Sequence, residues 1–594
     1  MTDPVKSSSR YQADYDRAMS RRTGRRYWRS MVRWFDPRLL LRTLFALIVA
    51  RLFAAYADRR ERDQGRPPDG PWRYDGQDEL WLDYVADLGD GWDSTATIAG
   101  LIAEPLLEMG GRALPHARVL LMGGDQAYPV ASRDEYLCRL EAPYYSLHPE
   151  SPAQAPRDLF VLPGNHDWYD GLAAFSRLFL QQRWFAGWRT RQTRSYFVLR
   201  LPQRWWLVAV DVQLDNDIDA AQLHYLLHAT EGLAAGDAVI LMSATPFWLD
   251  PRGSTLRRNL AFLQRRLVEE RGAEVRLSLS GDLHHYARYT HQENGAERIT
   301  AGGGGAFLHG TAWLPEAQPE DADMLDPQPE GNAADEKQPW RLRKTFPRPE
   351  QSRLMLWRLF LFPAFNPSLA LFLGAVSTLL LWGADAASHG LFFASAGGGV
   401  WYAAGALLSA VPASPMLAAA LAGWFAAFVA FADPPIRAGA SSAGGWKTAF
   451  GLLHGLLHLW LALSALVWLE PSRLVPLFGF LAELASLTLV LALGSGLLFG
   501  VWIWLLYQLF GCHRETAFSA CRIRDWKNFL RLHIDGAGVL SVHVIAVERV
   551  CRRWQERKPA VRGEAVVEPA DGVALARRAR LLERIVVTAG KTTD

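Results

Sequence analysis

Between residues 72 and 312 short apolar runs alternate with longer amphipathic stretches, the rhythm of an α/β domain. The runs are ARVLLMGG (117–124), DLFVLPGN (158–165), WWLVAVDV (205–212), AVILMSA (238–244) and EVRLSLSG (274–281). Each is continuously apolar rather than alternating, which predicts strands buried on both faces. Nearly every run ends in a polar, glycine-containing motif. Open α/β sheets place their sites at the carboxyl ends of strands, so this placement points to function.

The pattern changes twice further along. Residues 313–353 are Pro- and acid-rich without periodicity and predict a disordered linker. Residues 354–511 are almost purely apolar and predict an all-α transmembrane bundle of about four spans, near 366–384, 415–432, 448–469 and 485–508. The Gly/Ala-rich piece 390–411 is either a fifth span or a loop packed in the bundle. After it, 512–594 returns to mixed sequence, where FLRLHI and VLSVHVIAV flank the turn DGAG and predict a hairpin in a small α+β module.

The N-terminal segment 1–60 opens with over thirty residues of mainly polar, Arg-rich sequence, which no secretory signal does. Leu39 to Tyr56 is apolar but broken by Arg42 and Arg51, so an amphipathic helix in the membrane interface is expected there. Basic residues cluster before the first span (Lys337 to Arg358), between the second and third (Arg437, Lys447) and after the last (Arg514 to Lys527). All three clusters fall on one side when the number of spans is even. The positive-inside rule then puts the catalytic domain and the C-terminus in the cytoplasm of an integral inner- or plasma-membrane protein.

Composition adds little beyond this division. At 594 residues the chain exceeds one ordinary core, and its net charge of +3 indicates no nucleic-acid partner. The four cysteines are scattered, against a disulfide framework or a zinc ribbon.

Five segments carry the candidate chemistry: ADLGDG with Asp87 and Asp90; GGDQAYP with Asp125 and Tyr128; PGNHDWYDG with Asn165, His166 and Asp167; LMSATPFW around Ala244; and SGDLHHYARY with Asp282, His284 and His285. Singly, a DxG or GD pair is a turn. As an ordered set at strand ends, they suit a pair of metal ions ~4 Å apart that clamps a phosphate ester and generates a nucleophile from water at neutral pH. Asp125 is the natural bridging carboxylate. His166 is the natural acid or charge stabiliser, with Asp167 placed to orient its ring.

These motifs resemble the calcineurin-like metallophosphoesterases, in particular the purple-acid-phosphatase branch: DLG at 87–89, GDQAY at 124–128, GNHD at 164–167, and GDLHHYAR at 281–288 against GHxHxYxR. The resemblance covers about 80–310. It implies an α/β fold of two mixed β-sheets sandwiched between helices. It also implies a first metal site of Asp87, Asp125, Tyr128 and His284, and a second with Asp125, Asn165 and Asp282. Two divalent or trivalent ions are implied, and the oxygen-rich ligands favour Fe, Mn or Mg over Zn. The second site departs from the pattern, since Ala244 stands where a histidine is expected and Asp282 replaces another. Asp90 and His285 are candidate substitutes.

The reading that follows is a membrane-anchored, metal-dependent phosphoesterase acting on a phosphate ester, with lipid-linked and nucleotide substrates both open. The alternative is a catalytically weakened domain that senses a ligand. His454 and His458, four apart in a predicted span, suit either a metal or haem, or a hydrogen bond to a neighbouring helix.

Overall fold

The computed structural model describes residues 24–45, 48, 70–149, 157–213, 218–251, 254–319, 338–469, 471–558 and 563–589. Its contacts divide the chain into two units, Met1–Val32 with Thr43–Pro349 and Ile523–Asp594, and Arg33–Arg42 with Glu350–Arg522.

The first unit is mixed α/β. Strands β1 (Leu80–Val85), β2 (Val119–Met122) and β3 (Arg157–Val161) run parallel. A second set follows in the chain: β4 (Phe197–Arg200), β5 (Trp205–Val210), β6 (Ala238–Ser243), β7 (Glu274–Ser280), β8 (Tyr286–His291), β9 (Glu297–Ala301) and β10 (Trp340–Phe346). After the apolar helices come β11 (Lys527–Ile534), β12 (Val539–Val547) and β13 (Ala579–Thr588), besides a short two-stranded pair at 554–556 and 567–569.

One eight-stranded sheet is ordered β13-β12-β11-β1-β2-β3 and ends in short strands 188–190 and 184–185. The other, nine-stranded, runs from 72–73 through β4-β5-β6-β7-β9-β8-β10 to 317–318. The two sheets face each other across one apolar layer, in which Leu82, Tyr84, Leu121 and Leu530 meet Leu207, Ile240, Leu277 and Ile299. Helix Trp92–Ala103 covers the outer face of the first sheet, and helices Ala220–Ala229 and Thr255–Leu263 cover that of the second. Continuously apolar strands are the consequence, because both faces of each sheet are buried.

Two sequence expectations change here. The segment 512–594 does not make a separate small module. Its strand β11 pairs antiparallel with β1, Leu530 opposite Tyr84 and Ile534 opposite Leu80, and completes the sheet. Arg531 cements the join, its guanidinium donating to both oxygens of Asp83 at 2.7 and 2.9 Å with both side chains buried. A hairpin pattern reports the β11–β12 turn but carries no signal for a partner over 400 residues earlier. Likewise 313–353 is not wholly linker: Trp340–Phe346 is a seven-residue strand, paired on one side with β8 and at its start with the short strand 317–318, and its partly uncovered outer side tolerates its basic residues. Residues 320–337 lie outside the described residues.

The second unit is helical. Helices α1 (Pro367–Ala387), α4 (Ser441–Leu469) and α5 (Leu481–Phe510) are each long and apolar enough to cross a membrane. Between α1 and α4, α2 (Val400–Ala410) and α3 (Pro415–Phe431) form a pair bent by 116°. Glycines let α1 and α5 approach closely. Gly374 faces the backbone of Ala492, and Gly496 faces Ala370, positions where a Cβ would collide. In α4, His454 and His458 are buried with their Nε2 atoms 3.2 Å apart, so one N–H···N bond within the helix satisfies the facing nitrogens. The expected interfacial helix at 39–56 is helical as far as residue 45, and most of its remainder lies outside the described residues.

Arg531→Met leaves the Asp83 carboxylate buried without its cation, and a broken buried pair costs about 3–5 kcal/mol. Chemical denaturation of the full chain is expected to show that loss in the α/β unit. A fragment ending at Pro349 lacks β11, β12 and β13 and is expected to be insoluble alone; co-expression with 523–589 is expected to recover it.

Candidate metal centre

The carboxyl ends of β1, β2 and β3 in one sheet and of β6 and β7 in the other carry the candidate residues. Asp87 follows β1, Asp125 follows β2, Asn165 and His166 follow β3, Ala244 follows β6, and Asp282 to His285 follow β7. Three of these aspartates, Asp87, Asp125 and Asp282, have positive φ (59°, 50° and 66°). Aspartate tolerates that region better than most residues, yet strain on the order of 1 kcal/mol each persists only where surroundings enforce it.

Here the surroundings are glycines and cross-connections. A Cβ at Gly281 would lie 2.6 Å from Asp87 Oδ2, and Gly302 leaves room for the same atom. Gly304 donates to the Ala86 carbonyl and Ala306 to that of Asp87, so the glycine run 302–305 passes directly behind β1. Backbone bonds from Asp87 to Gly124 and from Leu88 to Asp125 tie the first two loops together.

Four donor atoms converge. The Tyr128 hydroxyl lies 3.2 Å from Asp87 Oδ1, 3.0 Å from Asp125 Oδ2 and 2.9 Å from His284 Nε2. Ligand atoms of Asp87, Asp125 and His284 all fall within 4.8 Å of one another, and all three side chains are buried. His284 Nδ1 is 2.7 Å from the Phe307 carbonyl, which can only accept, so the proton is on Nδ1 and Nε2 presents a lone pair. Three acceptors therefore surround one hydroxyl proton. Such an excess of lone pairs in a dry pocket fits a cation, and the donor set is that of a hard metal ion.

Electrostatics agree. Burial, then the charges of Asp125 and Asp282, push the Asp87 carboxyl well above its usual range. Burial and the same carboxylates push the Tyr128 hydroxyl up. Burial pushes the His284 imidazole down, keeping it neutral for ligation.

The other expected site residues are placed less uniformly. Asp282 is half-buried, and its backbone N–H donates to Asp87 Oδ1 at 3.1 Å. Asn165 is half-buried, its Oδ1 accepting from the His166 N–H, which also donates to Asp125 Oδ1 at 3.0 Å. His166 lies beside Tyr128, ring centroids 4.5 Å apart.

Asp167 does not orient the His166 ring as expected. Its carboxylate turns inward to accept from the Gly164 and Gln126 N–H groups and the Tyr136 hydroxyl, while the Pro129 carbonyl, 2.7 Å from Nδ1, holds the His166 ring. Nor do Asp90 and His285 join the cluster. Asp90 accepts from the Val32 and Phe307 N–H groups, and so braces the loop whose carbonyl fixes His284. His285 is buried, and burial pushes its pKa down to about 4. Ala244 is buried, with its Cβ 2.8 Å from where a Cβ on Gly124 would stand.

Three contributors have no motif to announce them. Phe307 acts through its carbonyl, His309 stacks on His284 at 3.9 Å, and Lys527 arrives on β11. The run of glycines at 302–305 is the one local signal near the first two.

No protein-family model and no curated protein matches the chain. Solved structures similar to part of it include GAP50, the anchor in the inner membrane complex of Plasmodium, at 14% identity and TM-score 0.27, covering 38% of this chain and 72% of that one. PhoD is another, at 11% identity and TM-score 0.25, covering 42% of this chain and 60% of that one. Likenesses this slight leave the geometry to carry the reading.

Because Asp87 and Tyr128 hold their protons above their ordinary ranges, ion binding must displace protons. Calorimetric titration of Mn²⁺ in buffers of different ionisation enthalpy is expected to show proton release, with affinity rising as pH rises. Tyr128→Phe is expected to weaken binding by at least the roughly 10–100-fold that loss of an outer-shell partner costs.

Proposed function

We propose that this chain is a membrane-anchored, metal-dependent phosphoesterase that hydrolyses a phosphate ester. The observation that carries the reading is the convergence of Asp87, Asp125, Tyr128 and His284 on one point.

When bound, the metal supplies Lewis acidity toward the phosphate and lowers the pKa of water at the site. The oxygen-rich donors favour Fe, Mn or Mg over Zn. Asp87, Asp125, Tyr128 and His284 would hold one ion; Asp125, Asn165 and Asp282 are the residues available to a second. The chain itself fixes the donors by strained loops and keeps His284 in one tautomer through Phe307. His166, its ring held at Nδ1 by the Pro129 carbonyl, leaves Nε2 as the atom through which a proton would pass to a leaving alkoxide.

Anchoring rests on α1, α4 and α5. Strand β10 before them and β11 after them belong to one folded unit, so the chain leaves and re-enters the membrane on the same side. Three crossings cannot do that, and a fourth is available where the bent pair α2–α3 serves as one broken span. The basic residues flanking the helices support a cytoplasmic assignment for that shared side.

One observation favours the second reading, a ligand sensor without turnover: the non-ligating Ala244 at the end of β6. A single experiment separates them. The full chain in detergent, given Mn²⁺ or Fe, is assayed on p-nitrophenyl phosphate and bis(p-nitrophenyl) phosphate. Metal-dependent hydrolysis is expected, abolished by Asp125→Asn and lowered about 10²–10⁴-fold by His166→Ala. Phosphate binding without hydrolysis under any metal, unchanged in His166→Ala, would establish the sensor instead.

A further inference from the structure

Lys527 is the first residue of β11, the strand that follows the membrane helices. The β1–β11 register pairs Leu530 with Tyr84 and Arg531 with Asp83. Continued three residues past Leu530, it brings Lys527 level with Asp87. The ladder itself stops short of that point. The glycine run enters between the two strands, with Asn528 N–H donating to the Gly303 carbonyl and Gly304 N–H to that of Ala86. Alternation places Lys527 with Phe529 and Arg531 on the face that also carries Asp83 and Val85, at the end of the strand where the glycine run behind Asp87 enters.

In that place the side chain is fully buried, and its Nζ has no hydrogen-bond partner. Lysine is almost never fully buried without a partner, and Lys527 is the single lysine among the described residues in the buried set. An isolated ammonium in a dry interior is costly unless opposite charge compensates it. The acidic groups that act on it are Asp525, Asp90 and Asp87, and it acts in turn on His284. Arg139 also reaches this loop through the Asp90 carbonyl, but its guanidinium is paired with Glu135.

We propose that Lys527 is the resident counter-charge of the metal centre: without pairing directly to either, it offsets the charge of the Asp87 and Asp90 carboxylates in the metal-free protein and keeps metal affinity below what the ligands alone would give. It touches no reacting atom in this role and is a positioning residue. The proposal rests on the metal-centre reading above.

Its sign makes it testable. A residue that merely supports the fold weakens metal binding when replaced; a counter-charge strengthens it, because the ion no longer competes with a fixed cation. Mn²⁺ affinity of the full chain in detergent is measured by competition with a chromophoric chelator, beside melting of the metal-free and Mn²⁺-loaded forms. Lys527→Met is expected to bind Mn²⁺ about ten-fold tighter. Its melting temperature should fall in the metal-free form and stay near wild type when loaded, while Lys527→Arg matches wild type throughout. Should Lys527→Met fail to fold, Lys527→Gln is read by the same titration. Unchanged or weaker binding in the neutral variant, with Lys527→Arg behaving like it, overturns the counter-charge. A wild-type chain that binds no Mn²⁺ overturns the metal-centre reading itself, so the two failures are distinct.

Discussion

The α/β unit depends on a pairing between segments over 400 residues apart: β11, arriving after all the apolar helices, lies antiparallel against β1. Without it β1 would be an edge, and the Asp83 carboxylate would be buried facing nothing. The bidentate Arg531 bond makes the pairing specific, because a slip of one residue would turn the guanidinium to the opposite face and put Leu530 or Leu532 against the carboxylate. Everything downstream in the fold inherits that register. β1 aims Asp87, the β1–β2 loop contacts aim Asp125, and the glycine run fits between the ends of β1 and β11.

The candidate metal centre is consequently assembled from both sheets, Asp87 and Asp125 following strands of one and His284 a strand of the other. Positive φ at Asp87, Asp125 and Asp282 would be costly in a free loop. It persists because each aspartate is followed or faced by backbone that admits no alternative: Gly281 and Gly302 against Asp87, Gly164 against Asp125. Strain is therefore localised where donor atoms must converge, which is how a rigid site binds an ion without first reorganising. The asymmetry within the centre has the same origin. The Tyr128 side has four inward donors, whereas on the Ala244 side the nearest groups, Asn165 and Asp282, are half-buried.

Much of this arrangement is legible in the order of the amino acids, and the parts that are not share a cause. Strand ends, ordered motifs and the first ligand set follow from local patterns, since a continuous apolar run and the motif after it are neighbours in the chain. Asp167 misleads because adjacency to His166 suggests contact, yet at the start of a short helix successive side chains diverge, and Asp167 turns inward to the Gly164 N–H. Lys527 and Arg531 are hidden for a different reason. Basic residues just after an apolar helix ordinarily signal a membrane flank, and nothing local distinguishes such a lysine from one delivered into a buried site. The same holds for Trp340–Phe346, whose charged neighbours resemble linker and whose strand exists only because β8 offers it an edge.

The helices lie in the chain between β10 and β11, two strands of one folded unit. Three of them are long and apolar enough to cross a membrane, or up to four if the bent pair is one span. Either half of the pair α2–α3 is too short to be a conventional span. Its 116° bend falls at the Ala413–Ser414–Pro415 turn, where Ser414 caps α3 and Pro415 occupies its first turn. A proline there has no N–H to continue α2 but suits the start of α3, so the break is written locally in the chain.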